Sequence, residues 1–168
     1  MEKKVLSEQS LYYGDVSMPK GFEIEEKVLT SDILESKLYN SKFKFSKTID
    51  KLSTYISDYI KVRHDVTLVQ KKTYGDFYNK EEITMPLLDV DPVDLRNSPD
   101  FTLLYGVKVK DCHVRIYYDD NRRKGRSWDI ELENNMFIMF PSSNMYNIIN
   151  KQKEDSLNFI QTILYEYL

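Results

Sequence analysis

Cysteine and histidine are nearly absent from this chain. One cysteine, Cys112, in 168 residues excludes an internal disulfide and any cysteine-rich zinc site. The two histidines, His64 and His113, lack the close spacing that metal ligands show, so each is expected to be structural. Glycine is scarce as well. Five scattered residues cannot form a phosphate-cradling loop or a dinucleotide fingerprint, which need glycines grouped at fixed spacing. No glycine elbow surrounds any serine, and a strand would send the neighbours Cys112 and His113 to opposite faces, so nucleophilic catalysis is not expected. The longest apolar run, residues 136–141, is far too short to span a bilayer. The charged amino terminus MEKKVLSEQS lacks the apolar core of a signal peptide, and a soluble protein is expected. Nor does one sign of charge dominate. Twenty-four Lys and Arg against 27 Asp and Glu leave a net charge of −3, which argues against a general nucleic-acid binder.

What is present describes a globular chain. Hydrophobic residues at 41% and charged residues at 30% suit one domain with a core that needs no covalent staple. Residues 1–25 are polar and broken by Gly14, Pro19 and Gly21, and read as an extended arm. Residues 26–64 read as a helical layer. Thr30, Ser31 and Asp32 are expected to cap a short helix running to Asn40. Ser46 or Thr48 starts a stronger one over residues 47–62, where Ile49, Leu52, Ile56, Tyr59 and Ile60 recur every three or four positions.

From residue 65 the texture is β-rich. Residues 66–69 and 74–78 read as two strands, with Gly75 marking a bulge or a close approach. Three prolines make residues 85–99 a loop with little ladder pairing. Strands follow at residues 101–109, 114–118, 127–132 and 136–140, the second and third joined by the polar tip DDNRRKG. Residues 157–165 read as a last strand. The predicted class is α+β, mainly β: a helical amino-terminal layer on an antiparallel sheet or barrel.

Four segments carry a resemblance. TYGDFYNKEE, LLYGVKV, FPSSNMYNIINKQ and EDSLNFIQTI follow one another as the strands do in the double-stranded β-helix (jelly-roll) of the iron(II)/2-oxoglutarate oxygenases. The chain resembles a degenerate member of the small versions found in phage and marine bacterial genomes. The resemblance covers about 95 residues and implies an iron held by two imidazoles and one carboxylate. It places the first ligand pair near Leu87, Leu88 and Asp89, the last histidine at Tyr146, and the keto-acid-binding arginine near Glu154. The imidazoles and the arginine are missing there. The expected outcome is a non-catalytic jelly-roll without cofactors. The alternative is an iron(II)/2-oxoglutarate-dependent dioxygenase with atypical ligands.

Other chemistry is weaker. Asp89, Asp91 and Asp94 supply oxygen ligands of the kind calcium takes, without the glycine and glutamate of a calcium loop. Arg122, Arg123, Lys124 and Arg126 crowd one turn beside Tyr117 and Trp128, a composition suited to an acidic partner surface, a phosphate backbone or a glycan. It suits equally a plain exposed turn whose charge Asp119, Asp120 and Asp129 partly balance. Thirteen tyrosines exceed what this core can bury with satisfied hydroxyls. With Leu11, Tyr12 and Tyr13 of the arm, expected to lie across a neighbouring subunit, these features suggest docking to other proteins, self-association or assembly into a phage virion. A lectin-like sugar binder using Trp128 is a third reading. The expected location is the host cytoplasm or an assembled virion, with no membrane partner.

Overall fold

The computed structural model describes residues 2–4, 8–41, 46–118 and 125–168. Its elements are β1 (Tyr12–Asp15), α1 (Glu26–Leu38), α2 (Lys47–His64), β2 (Leu68–Tyr78), β3 (Phe101–Lys108), β4 (Cys112–Tyr118), β5 (Arg126–Leu132), β6 (Met136–Pro141), β7 (Tyr146–Asn150) and β8 (Asn158–Tyr167). A five-stranded sheet in the order β1-β6-β3-β8-β2 faces a three-stranded sheet, β5-β4-β7. Every pairing is antiparallel. This two-sheet sandwich with a helical layer is the jelly-roll the sequence implies.

Alternation along the central strands builds two cores. One face of the large sheet presents Leu103, Tyr105, Phe137, Met139, Ile163 and Tyr165 to the helices. The other presents Leu104, Ile138, Phe140 and Ile160 to Val114, Ile116, Leu132 and Ile148 of the small sheet. The α2 stripe closes the first core: Ile49, Leu52, Ile56 and Ile60 are fully buried, each contributing about 1.5–3 kcal/mol of transfer free energy. Ser46 caps this helix by accepting from the Ile49 amide. Tyr165 is also fully buried, and its hydroxyl bonds the Ser53 hydroxyl at 3.1 Å and the Ser53 carbonyl at 3.2 Å. Tyr165→Phe is expected to cost about 1–2 kcal/mol, read from the urea midpoint, because Ser53 is buried with it.

Several local expectations change. Helix α1 starts at Glu26 rather than Thr30, and Thr30 lies inside it, where its hydroxyl donates back to the Glu26 and Lys27 carbonyls. A threonine can satisfy its hydroxyl that way, so capping residue types alone misplace the helix start. The two strands expected at 66–69 and 74–78 are one continuous β2, irregular between Gln70 and Lys72. Gly75 is a close approach: a Cβ there would stand 2.2 Å from the Ile33 side chain of α1. The arm's β1 adds to the chain's own sheet through β6, since an open sheet edge is the nearest source of backbone partners.

Residues 83–87 matter most for the site. They run antiparallel beside β7, with bridges Ile83 to Ile149 and Leu87 to Tyr146. The Thr84 and Leu87 amides donate to the Ile148 and Tyr146 carbonyls at 3.0 and 2.8 Å. Pro86 has no amide to give, which keeps the segment from being a full strand. With it, four strands of the large sheet (β6, β3, β8, β2) face four lines of chain in the small one, so the β-helix frame is complete and β1 is an addition.

Candidate functional site

The sandwich opens at one end into a cavity of about 270 Å³ lined by Tyr74, Asp76, Tyr78, Leu87, Asp89 and Tyr146, with Thr84, Leu88, Leu104 and Thr162 completing the wall. Each element delivers its side chains by alternation. Tyr74, Asp76 and Tyr78 are every second residue of β2, Leu104 and Thr162 belong to the same face of β3 and β8, and Tyr146 starts β7. Asp89 follows the 83–87 segment and is the hub. One oxygen, Oδ1, accepts from the Tyr74 hydroxyl at 2.9 Å. The other, Oδ2, accepts from Thr102 at 2.9 Å and Tyr146 at 3.1 Å. The Thr102 oxygen lies 2.9 Å from the Ser142 hydroxyl, which extends the network inward. The Tyr146 ring rests edge-on against Phe140, with centroids 5.0 Å apart.

Burial sets the protonation of these phenols. It pushes the Tyr74 hydroxyl up, and the Asp89 charge adds to the effect. Tyr146 is raised by burial and then by Tyr74 and Asp89, and Tyr78 by burial and then by Asp76. Tyr105 and Tyr165 are also raised by burial. A phenol whose folded pKa exceeds its unfolded value of about 10 favours the folded state below that pH and loses this contribution as pH climbs above it. Five of the 13 tyrosines are therefore expected to resist ionisation until the chain unfolds. A titration followed by phenolate absorbance should show a late step coinciding with alkaline unfolding; smooth titration of all 13 in the folded state would contradict it.

The structure gathers four of the positions that the resemblance singles out. Leu87, Leu88, Asp89 and Tyr146 share the cavity. Glu154 does not join them: it is exposed and paired with Lys110, and Thr162 is the β8 residue in the cavity wall. The keto-acid position that the resemblance places near Glu154 is therefore not at the cavity, since Glu154 stands in the connection between β7 and β8. Asp91 and Asp94 stay outside. Asp91 accepts from the Val93 amide and Asp94 from the Asn97 side chain, so they shape the proline-rich loop and do not converge with Asp89 on a cation. His64 packs its ring 4.7 Å from that of Tyr12 at the end of α2. His113 sits on β4 opposite Glu131 and Ile149, on the face turned away from the cavity. Cys112 is fully buried, and burial pushes its thiol up to about 12, which leaves no reactive thiolate near neutrality.

The candidate interaction surface divides. Arg122, Arg123 and Lys124 lie outside the described residues. Arg126 and Trp128 share one face of the hairpin, since they pair with Tyr118 and Ile116, whereas Tyr117 pairs with Ser127 on the other. Trp128 meets Tyr13 of the arm edge-on at 5.8 Å. Asp129, expected to balance the basic tip, forms a two-pronged bond with Arg115 at 2.7 and 2.9 Å, which holds its carboxyl below its ordinary range. No helix among the described residues is long and apolar enough to cross a membrane.

Sequence reading missed Tyr74, Tyr78, Thr102 and Ser142 as site residues. The alternation of Tyr74, Asp76 and Tyr78 was the available signal, because three polar or amphipathic side chains on the inward face of one strand need polar company.

No protein-family model matches the sequence, and no curated protein matches it. Solved structures do match. A prolyl-4-hydroxylase from Pseudomonas putida superposes with a TM-score of 0.66 at 10% identity, covering 94% of this chain and 88% of that one. HygX from Streptomyces hygroscopicus, solved with nickel and 2-oxoglutarate bound, gives 0.62 at 7% identity over 94% and 83%. A prolyl hydroxylase from Trichoplax adhaerens, in complex with a hypoxia-inducible-factor peptide fragment, gives 0.60 at 13% over 93% and 83%. Identities this low speak to architecture, and the architecture is clear: the chain has the double-stranded β-helix fold of the 2-oxoglutarate/iron(II) oxygenases.

Proposed function

We propose that this chain uses the oxygenase fold to bind a ligand rather than to oxidise one, with Asp89 organising the cavity. The observation that carries this reading is the chemistry of three side chains. An iron site of this fold needs two imidazoles and a carboxylate. At the corresponding positions Leu87 offers hydrocarbon, and Tyr146 offers a protonated phenol already donating to Asp89. Among the described residues no group of three or more His, Cys, Asp or Glu side chains could hold a metal. The residues present do not fit iron. They do not fit the keto acid either, because the charged side chains lining the cavity are Asp76 and Asp89, which repel a dianion.

The alternative, a dioxygenase with atypical ligands, is favoured by one observation: the likeness to metal-dependent enzymes extends over 94% of the chain. The solved structures lend no support to a virion or structural role. Anaerobic titration with ferrous iron and 2-oxoglutarate separates the two readings. The binding reading expects neither a charge-transfer band nor succinate on admission of oxygen. Stoichiometric iron uptake with succinate release would overturn it.

A further inference from the structure

Asp89 is a half-buried carboxylate whose three partners are all neutral hydroxyls, and it has no cationic partner among the described residues. A carboxylate offers about four acceptor positions, so room remains for a donor from outside. The other lining carboxylate, Asp76, is already paired with Lys37. Neither lysine nor arginine lines the cavity, whereas three tyrosine rings do. At about 270 Å³ it falls just below the roughly 300–1,000 Å³ of drug-sized ligand sites, so its occupant is small. One of these rings already faces a cation: the Lys72 ammonium stands over the Tyr74 ring, 5.8 Å from its centre. The Tyr78 phenol is held protonated by burial first and then by the negative charge of Asp76 beside it.

We propose that the Asp89 cavity binds a compact alkylammonium, held by the Asp89 carboxylate and by the faces of Tyr74, Tyr78 and Tyr146. This deepens the binding reading and rests on it. The ammonium supplies the charged donor that Asp89 lacks, and the tyrosine rings compensate the lost hydration of the cation. Lys72 competes from within the chain for the Tyr74 ring.

The test is calorimetric titration of the full chain with n-butylammonium, using butan-1-ol and butyrate as neutral and anionic controls. The ammonium is expected to bind about tenfold or more tightly than either control. Asp89→Asn should weaken it by about tenfold, Tyr78→Leu should weaken it several-fold, and Lys72→Met should tighten it. Tyr78→Leu leaves the three hydroxyl bonds of Asp89 intact, so it decides the matter if the Asp89 variant does not fold. Equal binding of ammonium and butan-1-ol, or no saturable binding at all, overturns the proposal. A null result with ammonium and no iron uptake removes this inference alone, whereas iron uptake with keto-acid turnover removes the binding reading beneath it.

Discussion

The double variant Leu87→His/Tyr146→His is expected to take up about one nickel or cobalt ion per chain, where the natural sequence takes up none. Leu87 and Tyr146 are direct antiparallel bridge partners, so their side chains stand side by side on one face of the sheet. Asp89, two residues beyond Leu87, already reaches the Tyr146 hydroxyl at 3.1 Å. Imidazoles at the two bridge positions would complete two nitrogens and one carboxylate around a single point. The measurement is metal content after gel filtration, together with the visible spectrum of the cobalt form. Uptake by the double variant but by neither single variant is the expected pattern. If the double variant folds and stays metal-free, these three positions are not the frame of a lost metal site. If the natural sequence binds one ion tightly, the imidazole argument fails.

Removing the hub should have the second largest effect. Asp89→Ala strips the acceptor from three hydroxyls at once. Tyr146 is 2% exposed and Thr102 fully buried, and a buried donor left without a partner costs about 1–3 kcal/mol. Thr102 keeps Ser142 and Tyr74 can turn toward water, so the expected loss is about 2–4 kcal/mol, or roughly 5–15 °C in Tm. Asp89→Asn keeps an acceptor oxygen and should lose about half as much. The tyrosine titration described above should move with it, Tyr146 ionising earlier in the alanine variant. A melting temperature within a degree or two of the natural protein would show that the hydroxyls find other partners.

Much of the fold was legible because its signals are local. The α2 stripe of Ile49, Leu52, Ile56 and Ile60 repeats at the helical period, and Ser46 stands where a cap should. The strands from Phe101 to Pro141 alternate or run apolar between turn residues, and the structure places them within a few residues of the expected ends. Where one local signal was ambiguous, the reading slipped. Threonine and serine inside α1 looked like a cap, and Gly75 divided a strand that the structure keeps whole. The arm was legible only as an extended segment with no assigned partner strand, because β1 is four residues long and pairs with β6, more than a hundred residues away.

The site was legible by halves. Leu87, Asp89 and Tyr146 could be placed because the motifs around them keep their frame. Tyr74 and Thr102 could not, because a hydroxyl becomes a ligand for Asp89 only when β2, β3 and β7 are stacked. Composition and spacing alone determined that the segments around Leu87, Asp89 and Tyr146 carry no histidine, since the two that the chain encodes, His64 and His113, stand elsewhere in the sequence. Tertiary structure alone decided what stands there instead. Asp89 leaves a loop with no periodicity of its own, and only the closing of the two sheets brings three hydroxyls within hydrogen-bonding distance of it and leaves an acidic, aromatic cavity beside them.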